Sequence, residues 1–512
     1  MLDVREAMRR SACWNAGRIA VVAGDRRLTF DQAWRRGLRL ANALLDLGLA
    51  SGDRVAVLED NSLEAADFFL GAAAANLVRV PLYKRSAPEA HAHMVRHTDC
   101  RALVVSEKYL HEVSGIRALA PALEHVIVRG AAYESWLEGY PDDDPNPRVS
   151  PDDLYIIRHS GGTTGIPKGM SFTHRTWMNT ERDWTYRLPP IEQGDACLHV
   201  APISHGSGYL FVPIWISGGY NILEPKFDAP RALDLLSEHG GYLFAVPTIV
   251  SDMLAAGGGR RRTFATLKAI VVAGAPIRPQ TALSARAMFG DVVHQFYGQT
   301  EATPVVWMTP REWFAEVPGS DPLSSVGRPM PFARVEIRDE NNRPVGANTV
   351  GELAVQTDGQ IEKIWNEPKL TSERLVDGWV LTGDIGRIDD NGYVYLVDRK
   401  DDLIISGGLN IWPTELELAI SDHADVREVA VVSAPHPRWG ETPVAIVVLR
   451  DQAGITEADI VALCAARLGD LKRPSRVIIR KEVLPRTPVG KVNRKLLREP
   501  FWTGVDRRVG AT

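Results

Sequence analysis

The sequence predicts an α/β protein with two domains, and three observations support this prediction. Short β-rich runs alternate with helical patterns through most of the chain, a glycine-rich run follows one of these strands, and the character of the sequence changes near residue 398. The length of 512 residues also exceeds what a single hydrophobic core usually serves. We therefore expect a large N-terminal domain and a smaller C-terminal domain.

The N-terminal region has the alternation typical of mostly parallel sheets flanked by helices. Predicted strands cover residues 54–58, 102–106, 125–128 and 268–273, and predicted helices between them cover residues 63–75, 231–239 and 281–289. Residues 141–153 are rich in proline and aspartate, which predicts a solvated connection leading to the glycine-rich run.

The C-terminal region has enough predicted elements for an α+β domain of its own. A hairpin is predicted before residue 398, ahead of this region, with its turn at residues 389–392. Predicted helices follow at residues 413–419 and 456–466, with predicted strands at residues 428–432 and 443–449. We expect domains at residues 1–398 and 403–512, joined by a hinge at residues 399–402.

Composition excludes several classes of function. The net charge of -5 and pI near 6.3 provide no general attraction to nucleic acid or to an anionic membrane. The longest apolar stretch, residues 68–78, is shorter than the roughly 20 residues of a membrane-spanning helix, and no signal peptide is recognisable. We expect a cytoplasmic protein whose four scattered cysteines, Cys13, Cys100, Cys197 and Cys464, are buried reduced thiols.

The most informative segment is Ser160-Gly-Gly-Thr-Thr-Gly-Ile-Pro-Lys-Gly169, which follows the apolar run at residues 154–157. Glycines let the backbone approach a ligand closely, hydroxyl groups add donors, and the lysine adds a positive charge. This combination predicts a cradle for polyphosphate. It is not the P-loop of other nucleotide-binding proteins, because Pro167 precedes Lys168 and no Ser or Thr follows the lysine.

This segment resembles the phosphate-binding loop of the adenylate-forming superfamily, which includes acyl- and aryl-CoA synthetases. Four further segments strengthen the resemblance because they occur in the order that is typical of the family. They are Tyr297-Gly-Gln-Thr-Glu301, Leu381-Thr-Gly-Asp-Ile385, Asp398-Arg-Lys-Asp-Asp402 leading into Ile405-Ser-Gly-Gly-Leu-Asn410, and Pro485-Arg-Thr-Pro-Val-Gly-Lys491. The resemblance covers almost the whole chain and implies a distorted β-barrel subdomain and a mobile C-terminal domain.

The resemblance implies a complete set of nucleotide-binding residues. Glu301 and Thr164 would hold Mg²⁺, a cation that prefers oxygen ligands. Asp384 would bind both ribose hydroxyls, and Lys491 would bridge the attacking carboxylate and the α-phosphate. The catalytic residues that the resemblance implies are Lys491, Thr164 and Glu301. The implied contacts to ATP or AMP come from Ser160, Gly161, Gly162, Thr163, Thr164, Gly165, Lys168, Gly274, Ala275, Pro276, Tyr297, Gly298, Thr300, Asp384, Arg399 and Lys491.

The acid pocket is predicted around His205, Phe296 and Gly298. Residues 296 and 298 point to the same face of a strand, and the resemblance implies that both positions border the acid. Gly298 leaves the pocket open and disfavours a two-carbon acid, whereas Phe296 provides an aromatic wall. His205 matches a gate position beside the carboxylate, with a core histidine as the alternative. A medium-sized aryl acid or a short-to-medium acyl acid is expected.

The resemblance also implies a second half-reaction at the same site after rotation about Asp401. Gly407 and Gly408 would leave room for the pantetheine of coenzyme A, and Trp439 would contact coenzyme A or pack in the core. Leu471 stands where an aromatic residue is common, which puts stacking on the adenine of coenzyme A in doubt.

The function expected from these residues is that of an ATP- and Mg²⁺-dependent acid:CoA ligase that forms an acyl adenylate and then a thioester. Two alternatives remain open. The enzyme could load a carrier protein or activate another oxyacid in natural-product biosynthesis, or the chain could be a nucleotide-binding regulator without catalytic activity.

Overall fold

The computed structural model describes residues 3–160, 166–257, 262–451, 453–487 and 491–503. Its strands are β1 Ile19–Ala23, β2 Arg26–Thr29, β3 Arg54–Leu58, β4 Val78–Pro81, β5 Ala102–Ser106, β6 His125–Arg129, β7 Leu154–Ser160, β8 Lys168–Thr173, β9 Ala196–His199, β10 Tyr220–Leu223, β11 Gly241–Ala245, β12 Leu267–Val272, β13 Val293–Gln299, β14 Ala302–Met308, β15 Arg328–Pro329, β16 Ala333–Arg338, β17 Gly351–Thr357, β18 Lys363–Ile364, β19 Leu375–Val376, β20 Trp379–Ile388, β21 Val394–Arg399, β22 Ile404–Ser406, β23 Leu409–Ile411, β24 Val426–His436, β25 Gly440–Leu449 and β26 Arg476–Arg480.

The helices begin close to where the predicted patterns begin, several of them behind Ser, Thr or Asp caps. They are α1 Val4–Trp14, α2 Phe30–Asp46, α3 Leu63–Ala74, α4 Pro88–His97, α5 Val113–Leu119, α6 Tyr133–Glu138, α7 His174–Tyr186, α8 Phe211–Ile216, α9 Ala229–His239, α10 Pro247–Ala256, α11 Pro279–Phe289, α12 Pro310–Trp313, α13 Pro368–Arg374, α14 Pro413–Ser421, α15 Glu457–Leu468 and α16 Arg494–Trp502.

The chain divides into two compact units. The first contains residues 1–335, 354–381 and 390–394, and the second contains residues 336–353, 382–389 and 395–512.

Two large sheets form the centre of the first unit. One has the strand order β15-β14-β13-β12-β11-β9-β10-β1-β2, and the other has the order β18-β8-β7-β4-β3-β5-β6. Their inner strands are parallel, as the alternation of strands and helices predicts, and antiparallel strands occur at the edges. The helices α2 and α3 approach so closely that a Cβ on Gly37 would lie 2.6 Å from the Cβ of Leu70.

A further sheet is curled and antiparallel, with the strand order β16-β17-β20-β19 and with β21 paired to β20. The predicted barrel-like subdomain takes this form. The predicted hairpin is confirmed, with β20 and β21 joined across residues 389–393.

The second unit has its own sheet of order β23-β22-β25-β24, with β26 paired to β25 in parallel. Its two faces carry separate apolar clusters. Ile404, Leu416 and Ile460 belong to one cluster, and Val432, Val444 and Leu497 belong to the other. The predicted fold class is therefore confirmed for this unit as well.

The cysteines are all free, but they do not share one environment. Cys100, Cys197 and Cys464 are buried as expected, whereas Cys13 is exposed, so the prediction is wrong for Cys13. This residue occupies the polar side of α1, where the helical period turns it away from the core. Within the described ranges, no helix combines the length and apolar character needed to cross a membrane.

Candidate active site

The glycine-rich segment connects two paired strands. Ser160 ends β7 and Lys168 begins β8, and the two residues are partners in the antiparallel register. Such pairing brings the two ends of the intervening loop together, as a phosphate cradle requires. The predicted phosphate contacts of Gly161, Gly162, Thr163, Thr164 and Gly165 lie outside the described residues.

Lys168 has a carboxylate partner that the sequence motifs did not indicate. Its Nζ lies 2.5 Å from Oε1 of Glu367, just before α13. The hydrogen bond from Lys168 lowers the pKa of Glu367. The lysine is thus held at the beginning of β8 by a residue that is distant in sequence, and a bound phosphate would have to share it with Glu367.

The hairpin β13–β14 positions the second nucleotide motif. Tyr297 lies within β13 and is buried, and Thr300 is half-buried in the turn. Glu301 is only 8% exposed, and its Oε1 lies 3.7 Å from Nη2 of Arg374. Glu301 is therefore a buried carboxylate with a positive neighbour.

The segment Gly274-Ala-Pro276 follows β12 and is exposed. Strands β12 and β13 are parallel, with Val272 opposite Gln295. Continuing this register by two residues brings Gly274 opposite Tyr297 at the same edge of the sheet. Gly274 also has φ +87, a backbone conformation that favours glycine. Gly274 and Tyr297 therefore belong to neighbouring parallel segments, and their contact with adenine stays a prediction.

Gly298 is required by the hairpin itself. A Cβ at this position would lie 2.7 Å from Oγ1 of Thr303 and 2.9 Å from the carbonyl oxygen of Ala302. Both neighbours belong to the facing strand, so they have little freedom to move. The absence of a side chain at residue 298 therefore has a local structural cause in addition to the predicted effect on pocket size.

Phe296 and His205 each lie beside aromatic rings. Phe296 lies 4.6 Å from Trp184 between ring centroids and stacks on Trp307 at 5.4 Å. Trp184 stacks in turn on Tyr209 at 4.9 Å. His205 is half-buried, and its ring lies 4.9 Å from that of Tyr83. That these rings form a wall of an acid pocket stays a prediction.

The loop that carries His205 is held by a buried amide. Asn61 donates to the carbonyl oxygens of His199 and Ala201 at 3.0 and 2.9 Å and accepts from the backbone N–H of Ile203 at 3.0 Å. Gly206, which follows His205, lies so close to Phe244 that a Cβ on this glycine would be 2.5 Å from the phenyl ring. The histidine therefore sits on a rigid support, as a substrate-positioning group requires.

In the second unit, the two residues predicted to bind ribose are in contact. Nε of Arg399 lies 2.6 Å from Oδ1 of Asp384, and the aspartate is only 6% exposed. Gly383, which precedes Asp384, donates its N–H to Glu352 at 3.0 Å, and Lys400 contacts the same carboxylate at 2.9 Å. Charged side chains therefore surround the middle of β20, where Asp384 lies.

The hinge segment contains an exposed aspartate followed by an anchored one. Asp401 is exposed, whereas Asp402 lies 3.2 Å from Nη1 of Arg494. The same guanidinium contacts Glu417 at 2.6 Å and Asp398 at 3.6 Å. Burial raises the pKa of Glu417, although Arg494 opposes this shift. The start of α16 is therefore tied to both ends of the predicted hinge.

The predicted residues for coenzyme A lie together. Gly407 and Gly408 form a two-residue turn between β22 and β23, with φ +59 and +84, as a type I′ turn requires. The N–H of Gly407 donates to the carbonyl oxygen of Trp439 at 2.9 Å. Trp439 is 46% exposed and stacks on His436 at 4.4 Å, so core packing does not explain it. Leu471 is also exposed.

Lys491 is exposed, and residues 488–490 before it lie outside the described ranges. Thr487 donates its N–H to the carbonyl oxygen of Lys491 at 2.6 Å, and Lys491 returns its N–H to Oγ1 of Thr487 at 3.1 Å. The lysine comes just before α16, which Asn493 caps. These contacts fix the backbone of Lys491 relative to Thr487.

The sequence motifs missed several residues because each is distant along the chain from the residue it contacts. Glu367 contacts Lys168, and Arg374 contacts Glu301. Arg158 and Glu181 are both buried close to the aromatic group, although neither belongs to a recognised motif. A weak signal was available for Glu181, because it lies between Trp177 and Trp184 at helical spacing.

Comparison with known families identifies the class of protein. The AMP-binding enzyme family matches residues 8–365, and the AMP-binding enzyme C-terminal domain matches residues 415–491. The chain belongs to this family and therefore to the adenylate-forming superfamily that the motifs indicated. It is therefore an adenylate-forming ligase.

Relatives named for two different acyl acceptors, a carrier protein and coenzyme A, resemble the chain about equally. It is 32% identical to the fatty acid–[acyl-carrier-protein] ligase ScoC of Streptomyces coeruleorubidus, over 96% of this chain and 95% of the relative. It is also 32% identical to a feruloyl-CoA synthase of an Amycolatopsis species, over 94% of this chain and 96% of the relative.

The fold is shared with solved structures of similar length. The crystal structure of ATP-bound MatB from Rhodopseudomonas palustris has a TM-score of 0.87 and 26% identity, and the match covers 98% of this chain and 99% of MatB.

Proposed function

We propose that the protein is an ATP- and Mg²⁺-dependent acid:CoA ligase that activates an aryl acid or a short-to-medium acyl acid. The observation that carries the proposal is the contact of Asp384 with Arg399 at 2.6 Å. Two residues that the resemblance assigns to ribose thus meet on paired strands, within a chain that matches both parts of the family. The ATP bound by the related MatB supports the same assignment.

In the first half-reaction, a carboxylate oxygen of the acid attacks the α-phosphorus of ATP. The new bond joins that oxygen to phosphorus, and the bond to the β-phosphate oxygen breaks, so pyrophosphate leaves with its electron pair. Lys491 offsets the negative charge that develops between the acid and the α-phosphate. Tyr297 stacks on adenine, Thr300 contacts the α-phosphate, and Asp384 with Arg399 holds the ribose.

The residues present fit a magnesium ion. Glu301 is a buried carboxylate at the turn after β13, and Mg²⁺ is commonly held by one or two carboxylates together with substrate phosphates. Within the described ranges, no cluster of three or more His, Cys, Asp or Glu residues suits a metal, which is consistent with a site that the nucleotide completes. The ion would neutralise phosphate charge, with Glu301 and Thr164 as the proposed protein ligands.

In the second half-reaction, the sulfur of coenzyme A attacks the acyl carbon, and AMP leaves as the acyl–oxygen bond breaks. The exposed Gly407–Gly408 turn beside Trp439 supports an approach by a narrow pantetheine chain at this surface. We propose that the C-terminal domain, residues 403–512, rotates about Asp401 between the two half-reactions. The hinge at residues 399–402 remains part of this proposal.

A carrier protein is the second candidate acceptor. The similarity to ScoC supports it, and so does Leu471, which offers no aromatic ring for the adenine of coenzyme A and is 74% exposed. A carrier protein would present the same pantetheine arm without that adenine.

Pyrophosphate release across a library of carboxylic acids tests the proposal. Each acid is assayed with ATP alone, with coenzyme A and with phosphopantetheinylated carrier proteins, and thioester is measured by mass spectrometry. We expect thioester on coenzyme A for at least one aryl or short-to-medium acid. Thioester on carrier proteins alone would support the second candidate, and absence of pyrophosphate with every acid would favour a regulator without catalytic activity.

A further inference from the structure

Glu181 is a buried carboxyl group without a hydrogen-bond partner. It lies on α7 at 2% exposure, and both of its carboxylate oxygens are buried and unpartnered within the described part of the chain. Burial raises the pKa of Glu181 well above its ordinary value, and Trp177, Arg158 and Arg79 oppose this shift. Keeping such a group without a partner destabilises a fold, so a ligand that satisfies it is a reasonable explanation.

Arg158 is a buried cation close to this carboxyl group. It lies on β7 at 2% exposure, and its Nε has no hydrogen-bond partner among the described residues. Its guanidinium carbon lies 4.1 Å from the ring centroid of Tyr209 and 5.8 Å from that of Trp177. The positive charge acts on Glu181, yet within the described ranges no ion pair joins the two side chains. A buried donor and a buried acceptor therefore lie near the same tryptophan, Trp177, without an ion pair between them.

These two side chains lie near the residues predicted to form the acid pocket. Trp177, Glu181 and Trp184 share one side of α7, and both tryptophans stack on Tyr209. Trp184 also contacts Phe296, and Tyr83, which contacts His205, feels the charge of Arg158. The polar pair is therefore close to the residues expected to surround the acid.

Free space is available next to Glu181. A pocket of about 370 Å³ is lined by Glu181 together with Met178, Arg182, Thr185, Ile191 and Ile216. Its lining is mixed apolar and polar, as is typical of small-molecule sites. Of the two side chains, Glu181 lines this space and Arg158 does not.

The chemistry of the pair selects among substituents. An ammonium group would be repelled by Arg158, and a second carboxylate would compete with Glu181. A hydroxyl group suits both side chains, because its oxygen accepts from the guanidinium while its hydrogen is donated to the carboxylate. The surrounding tryptophan and tyrosine rings favour a flat partner.

We propose that Arg158 and Glu181 form a polar subsite that recognises a hydroxyl group on the acid, so that the substrate is a hydroxylated aryl acid. This inference rests on the proposed adenylating function. It adds a specificity-determining pair to the predicted residues His205, Phe296 and Gly298.

The first test compares matched acids with the wild-type protein. Benzoate, cinnamate and 3-phenylpropanoate are each assayed for ATP-dependent pyrophosphate release beside their 3-hydroxy, 4-hydroxy and 4-methyl analogues. We expect kcat/KM for at least one hydroxylated acid to exceed that of its unsubstituted and methyl analogues by roughly 10- to 100-fold, because a site built for a hydroxyl leaves polar groups unpaired otherwise.

Equal or better turnover of the unsubstituted acid in every pair would overturn the subsite while leaving adenylation intact. Absence of pyrophosphate with these acids and with a panel of aliphatic acids would overturn the proposed function and the subsite together. The wild-type measurement decides the matter even where a variant fails to fold.

The second test uses variants. Glu181→Leu and Arg158→Met should each reduce the ratio of hydroxylated to unsubstituted kcat/KM towards one, and Glu181→Gln should reduce it less. Asp183→Asn is the matched control, because Asp183 is a buried carboxylate on the same helix with partners in Arg182 and Thr357. It should retain the wild-type ratio even if its melting temperature falls. Folded Glu181→Leu protein that keeps the full preference would contradict the assignment.

Discussion

At the residue scale, the predicted site is distinguished by charged side chains that are held before any ligand arrives. Lys168 pairs with Glu367, Glu301 has Arg374 nearby, and Asp384 contacts Arg399. Fixing these groups in advance reduces the reorganisation that phosphate and ribose binding would otherwise require. Removing one member of such a pair would leave the charge of the other member partly buried and without a counter-charge.

Replacing Asp384 tests the ribose assignment. Asp384→Ala should raise KM for ATP and weaken discrimination between ATP and 2′-deoxy-ATP, because one charge-assisted contact of this kind is worth about 1.5–3 kcal/mol, or roughly 10- to 100-fold. Steady-state kinetics with both nucleotides provide the measurement. Asp470→Ala is the control, because that side chain is 81% exposed on the same unit. Wild-type nucleotide kinetics in folded Asp384→Ala protein would remove Asp384 from the site.

A buried histidine near the predicted acid pocket links stability to pH. The two ring nitrogens of His199 are both hydrogen-bonded, Nδ1 to Oγ of Ser207 at 2.7 Å and Nε2 to Oδ1 of Asn221 at 2.8 Å. Burial lowers the pKa of His199 to about 4, and its two partners oppose the shift. Between about pH 6.5 and pH 4 the unfolded chain binds a proton that the folded site does not bind. This contribution to stability is therefore complete above pH 6.5 and is lost as the pH falls.

We expect His199→Gln to flatten the pH dependence of unfolding. From pH 6 to pH 5 the wild type should lose about 1.4 kcal/mol more than the variant, which corresponds to one proton per molecule. Urea unfolding of both proteins at several pH values supplies the comparison. His111→Gln, which changes a side chain that is 72% exposed, should keep the wild-type slope. The same pH dependence of the free energy of unfolding in the wild type and in His199→Gln would contradict the expectation.

At the scale of elements, tight turns explain several glycines that the family resemblance assigns to ligands. Gly298 is needed because the hairpin β13–β14 leaves no room for a Cβ. Gly407 and Gly408 are needed because the turn between β22 and β23 requires positive φ at both positions. A test of the coenzyme A assignment must therefore preserve the turn.

Gly408 offers such a test, because a Cβ there would meet nothing within 4 Å and asparagine tolerates positive φ. Gly408→Asn should retain its stability yet form thioester more slowly, since the added side chain would lie where pantetheine is proposed to pass. Pyrophosphate release without coenzyme A should stay near the wild-type rate. Gly408→Ala should instead lose about 1–2 kcal/mol of stability through backbone strain. Normal thioester formation by Gly408→Asn would argue against this path.

At the scale of the whole molecule, the central hypothesis is that one lysine serves only one of two half-reactions. Lys491 stands on a turn next to α16, and Arg494 ties the start of that helix to the hinge residue Asp402. The lysine and the end of the hinge should therefore move together when the C-terminal domain rotates.

Lys491→Ala should lose ATP-dependent adenylation by roughly 100-fold or more, because a preorganised charge at the transition state is commonly worth several kcal/mol. The same variant should convert a synthetic acyl adenylate and coenzyme A to thioester at close to the wild-type rate. Single-turnover assays of each half-reaction provide the measurement, with the exposed residue Lys481 changed to alanine as a control. Equal loss of both half-reactions would contradict the alternation of domains.

The sequence alone determined the family, the α/β class and the order of the nucleotide motifs. These follow from local chemistry, because glycines, hydroxyls and a few charged residues at fixed spacing must be present in the chain wherever it folds. Most of the predicted strands and helices were also confirmed, since the alternation of apolar runs is itself a local property. The roles of Gly298, Gly407 and Gly408 were only partly visible, because turn geometry and ligand clearance select the same residue.

Only the tertiary structure decided which distant residues meet. Glu367 lies beside Lys168 because the antiparallel pairing of β18 with β8 brings these segments together. Arg158 and Glu181 became notable because packing buries both without pairing them, and a single sequence contains no record of an unmet hydrogen bond. Such partners depend on long-range contacts and on the exclusion of water, which are properties of the folded chain rather than of any segment.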